Sequence, residues 1–386
     1  MQLSVIILNY NVCYFLEQCV LSVQKALENI DGEIIVVDNF SIDGSCEMMK
    51  QRFPNVKLIE NKANLGFPKG NNIGVAEAKG EYICILNPDT VVAEDTFEKV
   101  LQFAKSKPDL GIVGCKLIDG TGNFLPECKR GVPTPWVAFT KIFGLYKFFP
   151  KSNLFNKYYA QHLAENQTGK VDILVGAFMV MQSDLYLQVD GFDENCFMYS
   201  DDIDLSYLVL KSGKSNYYFH ETSVIHYKGE STVRDGTYMK RFREAMQFFY
   251  KKHFGGSFVF DAFMRIGAFA FAFLKKSQQK QIVYNIEEYV LFSSEESLKN
   301  KLENQLQKKV IRLTDINENA LFSQANSSEK HVEILLDNNS FSFKEIISFL
   351  EKNKNRGFTF KIIPEAAFFM IGSNSSNDRG EIIEIK

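Results

Sequence analysis

The chain has little of what marks several specialised protein classes. Its 386 residues include 24 glycines and 9 prolines, too few for a collagen-like or low-complexity protein. Lys and Arg number 44 against 47 Asp and Glu, so the net charge is −3 and no basic excess attracts nucleic acid. Charged residues (24%) and hydrophobic residues (45%) occur in proportions typical of a core-forming globular protein. At this length we expect about two to three domains.

The cysteines also exclude several classes of site. They are odd in number, widely scattered and never spaced as Cys-x-x-Cys, which argues against a zinc ribbon, a thioredoxin-type motif or a disulfide framework. Reduced thiols in the cytoplasm are expected. The first residues lack a basic segment and a long apolar run, so we expect a buried strand there and not a signal peptide. The seven cysteines are Cys13, Cys19, Cys46, Cys84, Cys115, Cys128 and Cys196.

Short apolar runs alternate with longer amphipathic segments over residues 1–115. The runs are nearly continuous, as is typical of parallel strands covered on both faces. This alternation predicts an α/β fold with a doubly wound, mostly parallel sheet. The predicted strands are Ser4–Leu8, Glu33–Val37, Val56–Ile59 and Tyr82–Leu86, and the predicted helices are Tyr14–Asn29, Ser45–Phe53 and Lys69–Ala78.

Polar residues follow the carboxyl end of each predicted strand. In sheets of this type, ligands bind beyond those ends, so we expect one polar site there. The competing interpretation is ordinary turn chemistry, because Asn and Asp favour turns. The residues concerned are Asn9, Tyr10, Asn11, Asp38, Asn39, Glu60, Asn61, Asn87 and Asp89.

Three places carry side chains suited to catalysis. Asp89 follows an apolar strand and suits Mg²⁺ or Mn²⁺, or else is only a turn residue. Asp201 and Asp202 lie in an acidic cluster that predicts a general base with a raised pKa, or else acids favoured by the first turn of a helix. His226 ends a strand-like run and is either structural or a metal ligand.

Six blocks in order resemble one family. Residues 1–230 are similar to family 2 glycosyltransferases of the GT-A fold, in the rhamnosyltransferase-like branch of bacterial surface-polysaccharide enzymes. The blocks are SVIILNYN (4–11), EIIVVDNFSIDGS (33–45), NKANLGFPKGNNIG (61–74), YICILNPDT (82–90), GFDENCFMYSDDIDL (191–205) and VIHYKGES (224–231).

The resemblance implies a role for each matching position. Asp202 is the implied catalytic base with Asp201 before it, and Asp89 and His226 are the implied ligands of Mn²⁺ or Mg²⁺. The implied reaction is an inverting transfer from a UDP- or dTDP-sugar to a saccharide or a lipid-linked saccharide. The implied nucleotide and donor-sugar contacts are Asn9, Tyr10, Asn11, Asp38, Asn39, Asn64, Gly66, Phe67, Asn71 and Asn87.

The rest of the chain predicts two further segments beyond a catalytic domain at 1–235. Residues 236–280 are expected to be helical, and the aromatic segment 257–274, with lysines at both ends, predicts either a membrane-interfacial helix or a buried one. Residues 281–386 predict a small Rossmann-like α/β domain. A cytoplasmic protein is expected, with peripheral contact to the inner membrane face and homo-oligomerisation left open. Two alternatives to a transferase also stay open, namely a non-catalytic nucleotide-sugar-binding or scaffolding partner and a nucleotidyltransferase.

Overall fold

The computed structural model describes residues 1–142, 144–148, 152, 154–228, 236–255, 286–316, 331–374 and 380–386. The described residues form two main sheets and one two-stranded sheet. The predicted aromatic helix at 257–274 lies outside these ranges, as do the last three residues of the VIHYKGES block. Among the helices described, none combines the length and the apolar character needed to cross a membrane.

The first elements follow the predicted strand–helix alternation with ends shifted by a few residues. β1 (Leu3–Asn9) and β4 (Tyr82–Leu86) are buried over their whole length, whereas β3 (Lys57–Glu60) at the sheet edge is exposed or half-buried. The third helix begins two residues before the prediction, because Gly66 at φ +84° turns the chain and Pro68 fits the first helical turn. The elements are β1 Leu3–Asn9, α1 Cys13–Ala26, β2 Gly32–Asp38, α2 Ser45–Arg52, β3 Lys57–Glu60, α3 Phe67–Ala76 and β4 Tyr82–Leu86.

The following residues complete the first sheet and add the two-stranded sheet of β7 (Lys129–Arg130) and β9 (Ile173–Leu174). They comprise β5 Thr90–Val91, α4 Thr96–Lys105, β6 Leu110–Ile118, β7 Lys129–Arg130, α5 Pro135–Ile142, α6 Leu145–Phe148, β8 Gly169–Val171, β9 Ile173–Leu174, β10 Phe178–Gln182, α7 Ser183–Gln188, α8 Asp201–Lys211, β11 Ser215–His226 and α9 Gly236–Phe254, with a 3₁₀ turn at Pro126–Cys128. The described strands are ordered β3-β2-β1-β4-β10-β6-β11-β5, with β8 also paired to β11. The predicted α/β class is confirmed. The sheet is mixed because β10 runs antiparallel to β4 and β6.

A second, smaller α/β unit follows, as predicted. Its strands lie in the order β13-β12-β14-β15-β16-β17, parallel from β13 to β15 and antiparallel beyond. Two of these strands, β16 and β17, had no predicted counterpart. The elements are β12 Glu288–Phe292, α10 Glu296–Leu306, β13 Val310–Leu313, β14 Val332–Asp337, α11 Phe343–Asn353, β15 Phe358–Ile363, β16 Phe369–Gly372 and β17 Glu381–Glu384.

The C-terminal unit shares a hydrophobic core with the end of the first sheet. Val91, Ile225 and Tyr227 belong to the same buried cluster as Ile334 and Ile371. The contact has a polar component as well. The carboxylate of Glu94 accepts hydrogen bonds of 2.8 Å from the backbone N–H groups of Phe343 and Lys344, at the start of α11. An anion there is favoured because those N–H groups have no partner within the helix. The two units are therefore joined by both apolar and polar contacts.

The turn at Gly122 lies against the C-terminal unit at very close range. Gly122 has φ +81°, and a Cβ placed on it would lie 2.2 Å from the carbonyl oxygen of Leu350. Gly213 has nearly the same backbone conformation, φ +84°, but nothing lies within 4 Å of its Cβ position. Substitutions at these two glycines therefore distinguish the cost of a strained backbone from the cost of a collision with the second unit.

We predict that Gly122→Ala destabilises the protein more than Gly213→Ala does. The control substitution carries only the cost of a left-handed backbone for an L-residue, about 1–2 kcal/mol. Gly122→Ala adds a collision with backbone that a side-chain rotation does not relieve. Thermal unfolding of both variants measures the difference. Equal losses in melting temperature would show that the turn does not abut Leu350 in solution.

Candidate active site

Asn9 and Asp38 meet at the carboxyl ends of β1 and β2. Asn9 Nδ2 donates to Asp38 Oδ2 over 2.8 Å, and both side chains are almost completely buried. The other oxygen, Asp38 Oδ1, accepts from the backbone N–H of Ser41 over 2.7 Å. A buried carboxylate with two donors is held in one orientation. This buried pair therefore fixes the ends of the two strands relative to each other.

The loop after β1 is tied to the loop after β2. Asn11 adopts a left-handed conformation, φ 55°, and its Oδ1 accepts from the backbone N–H of Ile42 over 2.8 Å. Its own N–H donates to Ser41 Oγ over 2.9 Å. Tyr10, between Asn9 and Asn11, leaves 38% of its surface exposed. An exposed ring on a braced loop is free to stack on a planar ligand. Ser41 was not among the predicted site residues.

The other predicted donor contacts form a second network around the start of α3. Asn39 Nδ2 donates to the carbonyl oxygen of Gly66 over 3.1 Å, and Asn64 Oδ1 accepts from the N–H of Gly66 over 3.0 Å. Asn71 Nδ2 donates to the carbonyl oxygen of Phe67 over 2.9 Å from a fully buried position. The network thus holds the left-handed turn that begins α3.

This loop also contacts the segment that leads to the acidic cluster. The N–H of Phe67 donates to the carbonyl oxygen of Phe197 over 3.0 Å. A Cβ on Gly66 would lie 2.8 Å from both the ring and the carbonyl of Phe197. The two segments, distant in sequence, therefore form one wall of the cleft.

Asp89 and His226 lie side by side. Asp89 Oδ1 is 3.4 Å from His226 Nε2, and Asn87 Nδ2 is also 3.4 Å from that nitrogen. Both Asp89 and His226 are over nine-tenths buried. Strand pairing produces this contact, because β11 runs antiparallel to β5 and places His226 opposite Thr90. The N–H of Tyr227 also donates to the carbonyl oxygen of Asp89 over 3.0 Å.

A carboxylate and an imidazole facing each other are suitable donors for a divalent cation of the Mn²⁺ type. The described residues contain no group of three or more His, Cys, Asp and Glu side chains arranged to hold a metal. The pair therefore fits an ion whose remaining ligands are water and substrate phosphate, which is how Mg²⁺-type ions are commonly bound. The residues present fit the predicted metal in this limited sense.

The acidic residues of α8 have separate environments. Asp202 Oδ2 accepts from Arg130 Nη2 over 2.5 Å and from the N–H of Gly176 over 3.2 Å. Asp201 Oδ1 is buried without a hydrogen-bond partner. Burial, followed by the charge of Asp202, raises the pKa of Asp201 to about 7. One acid of the pair is therefore held by a cation and the other is drawn toward its protonated form.

Asp204 faces away from this pair toward α9. Its two oxygens contact Lys252 Nζ at 2.8 Å and His253 Nε2 at 2.5 Å. Lys252 also contacts Asp193 at 2.7 Å. Burial lowers the pKa of His253, with Asp204 opposing the effect. Through these contacts, Asp204 holds α9 against α8.

Three charged residues at this site lay outside the predicted set, namely Arg130, Glu127 and Lys228. Glu127 forms an ion pair with Lys228. Burial alone would raise the pKa of Glu127, but Lys228 outweighs it and the pKa is lowered, with His226 contributing in the same direction. Glu127 also acts electrostatically on Arg130. Charges of alternating sign thus connect Asp202 to the surroundings of His226.

The structure therefore brings the predicted residues into four groups. Asn9 and Asn11 meet the β2 loop, and Asn39, Asn64 and Asn71 hold the start of α3. Asn87 and Asp89 meet His226, and Asp202 meets Arg130. No direct hydrogen bond joins Asp202 to Asp89 in the part of the chain that the structure describes. Arg130 and Glu127 supply the connection between them.

Comparison with known proteins identifies the first unit. Residues 4–186 match the family model described as "Glycosyl transferase family 2". This part of the chain is therefore similar to members of glycosyltransferase family 2. The match covers β1 to β10 and includes the loops that carry Asn9, Asp38 and Asp89.

The curated proteins that this chain is similar to include two rhamnosyltransferases. It is 29% identical over 244 residues to the "N-acetylglucosaminyl-diphospho-decaprenol L-rhamnosyltransferase" of Mycobacterium tuberculosis, covering 60% of this chain and 78% of the relative. It is 27% identical over 221 residues to "Rhamnosyltransferase WbbL" of Escherichia coli, covering 53% and 78%. Among solved structures, the mannosyltransferase PcManGT from Pyrobaculum calidifontis shares 16% identity at a TM-score of 0.47, covering 72% of this chain and 76% of the other.

We predict that Asp204→Asn weakens the fold of this protein without changing the residues of the candidate site. The change leaves Lys252 and His253 without their buried anion, at an expected loss of about 1–3 kcal/mol, since Lys252 keeps some contact with solvent. The control, Asp193→Asn, removes a more exposed partner of Lys252 and is expected to lose less than about 1 kcal/mol. Denaturant unfolding measures both. Indistinguishable losses would refute the assignment of Asp204 to α9.

Proposed function

We propose that the protein is an inverting glycosyltransferase of cell-surface polysaccharide synthesis. It moves a sugar from a UDP- or dTDP-sugar to a hydroxyl group of a saccharide or a lipid-linked saccharide. The observation that carries this proposal is the contact of Asp89 with His226 at the same cleft edge as the Arg130–Asp202 pair. The names of the two rhamnosyltransferases support the substrate class.

The donor nucleotide binds along the ends of β1 and β2. The half-exposed ring of Tyr10 stacks on the base, and the buried Asn9–Asp38 pair holds the strand ends behind it. Asn11 braces the loop that carries Tyr10. The turn at Gly66 and Phe67 contacts the donor sugar, supported by Asn39, Asn64 and Asn71.

Asp89 and His226 would hold Mn²⁺ or Mg²⁺, with Asn87 beside them. When bound, the ion supplies positive charge that stabilises the diphosphate leaving group. The chain's own contribution is to fix the two ligands through the pairing of β5 with β11. Lys228, two residues after His226, adds a cation near the same place.

The reaction is a single displacement with Asp202 as general base. Asp202 takes the proton from the acceptor hydroxyl, and the acceptor oxygen forms a bond to the anomeric carbon of the donor. The bond from that carbon to the diphosphate oxygen breaks, and the electron pair leaves with the nucleotide diphosphate. Because the attack comes from the face opposite the leaving group, the anomeric configuration inverts. A cytoplasmic enzyme at the inner face of the membrane would meet a lipid-linked acceptor there.

The donor is found by thermal shift with a panel of UDP-, dTDP- and GDP-sugars, with and without Mn²⁺. A true donor at about 100 times its Kd adds about 2.7 kcal/mol of stability, so the melting temperature rises. We predict that Asp89→Asn removes the Mn²⁺-dependent part of this rise. The control is Asp95→Asn, which removes a carboxylate paired with Lys99 and Lys344 outside the site. An unchanged Mn²⁺ effect in Asp89→Asn would reject the metal assignment.

We predict that Asp202→Asn abolishes transfer and leaves nucleotide binding nearly intact. The amide oxygen still accepts from Arg130 and Gly176 but takes up no proton, so turnover falls by about 10²–10⁴-fold. Turnover with a nucleotide-sugar donor and a GlcNAc-diphospho-lipid acceptor is compared with nucleotide affinity from calorimetry. Near-normal turnover would reject Asp202 as the base. Nucleotide binding by the wild type without any transfer would favour a binding partner over an enzyme.

A further inference from the structure

Arg130 lies on a very short strand, yet its side chain is almost completely buried. It lies on the two-residue strand β7, where it pairs with Ile173 of β9. Its side chain is 13% exposed and that of Asp202 is 11% exposed. Its Nε is buried and has no hydrogen-bond partner. Burying a guanidinium in such a position costs free energy unless its charge is paired.

The charge of Arg130 meets only one of two adjacent acids. Asp201 and Asp202 are both buried in the first turn of α8, and two neighbouring carboxylates resist being ionised together. Arg130 and the N–H of Gly176 both contact Asp202 Oδ2. Among the described residues, none donates a hydrogen bond to Asp202 Oδ1. The guanidinium therefore occupies Oδ2 of Asp202 and leaves Oδ1 available.

We propose that Arg130 is a positioning residue that keeps Asp202 ionised and occupies its Oδ2, so that the acceptor's proton is taken up at Oδ1. This inference rests on the proposed function, in which Asp202 is the base. In this arrangement Asp201 carries the proton that the pair shares. Arg130 touches neither reacting atom and acts through Asp202.

The charged groups around Asp202 come from several elements. Arg130 on β7 is the one cation in contact with it among the described residues, and Asp201 is the neighbouring anion on its own helix. Tyr158 accompanies the guanidinium, and burial raises the pKa of its hydroxyl. Glu127 acts on Arg130 from the 3₁₀ turn. Lys252 and His253 of α9 are engaged by Asp204 on the same helix as Asp202. Arg130 is thus the group whose removal changes the balance between the two acids.

The test is the pH profile of transfer in Arg130→Met and Arg130→Lys. Without the cation, Asp202 takes up a proton more readily, so the acidic limb of kcat/KM moves to higher pH by about 1–3 pH units. At pH values below this shifted limb, kcat/KM of Arg130→Met is about tenfold or more lower than that of the wild type. At alkaline pH its kcat/KM recovers. Arg130→Lys keeps the charge and holds its limb near that of the wild type. Arg52→Met, which removes a half-buried arginine paired with Glu17 on another face, leaves the profile unchanged.

Infrared difference spectra provide a readout that needs no turnover. The carboxyl band that disappears in Asp202→Asn is followed against pH in the wild type and in Arg130→Met. The expected result is that the band marks a protonated acid at higher pH in Arg130→Met than in the wild type. If the wild type neither binds nor transfers any donor, the proposed function fails while this titration still decides the role of Arg130.

Two results would overturn the inference. One is a loss of activity in Arg130→Met that is the same at every pH, which describes a structural arginine. The other is an infrared titration of Asp202 that does not move when Arg130 is replaced. A variant that does not fold is replaced by Arg130→Lys, for which loss of the wild-type limb would equally count against the proposal.

Discussion

The candidate site depends on the pairing of a two-residue strand, β5, with the end of β11. β5 is only Thr90–Val91, yet its antiparallel contact with the end of β11 brings Asp89 to His226. So short a strand has few hydrogen bonds of its own and is held by what surrounds it. Val91 and Ile225, which pair across the two strands, are buried in one cluster with residues of the C-terminal unit. The position of the proposed metal ligands is therefore set by packing behind the cleft.

A second constraint is the order of charges across the cleft. From Asp202 through Arg130, Glu127 and Lys228, each residue acts on a neighbour of opposite charge, and Glu127 also acts on His226. Buried charges are tolerated when they are paired, and removing one leaves the next uncompensated. The proposed base and the proposed metal ligands are consequently coupled through protein charges even though they do not touch. A doubly charged diphosphate bound near Lys228 would interact electrostatically with the same charged residues.

The sequence predicts best what depends on local pattern. The apolar runs of β1, β2 and β4 and the polar residues after them are visible without a structure, because strands covered on both faces are continuously apolar. The role of Arg130 is not predicted by any such local pattern. This residue lies in a proline-containing segment of weak periodicity, and its partner is 72 residues away. β17 was missed for a related reason, since its exposed residues carry no burial pattern. Pairings between distant charges have no local signature, whereas Asp89 and His226 were predicted site residues because they lie in motifs that resemble the family.

The C-terminal unit is part of the structure that supports the site. Its core is continuous with that of β5 and β11, Glu94 is bound at the start of α11, and the turn at Gly122 leaves no room for a side chain against Leu350. A module attached only by a linker would show none of these contacts, because independent domains usually meet through smaller, more polar surfaces. Tyr227 shows the consequence most directly. It is buried in the shared core while its N–H donates to the carbonyl oxygen of Asp89, so the core of the C-terminal unit packs directly against the residue next to His226.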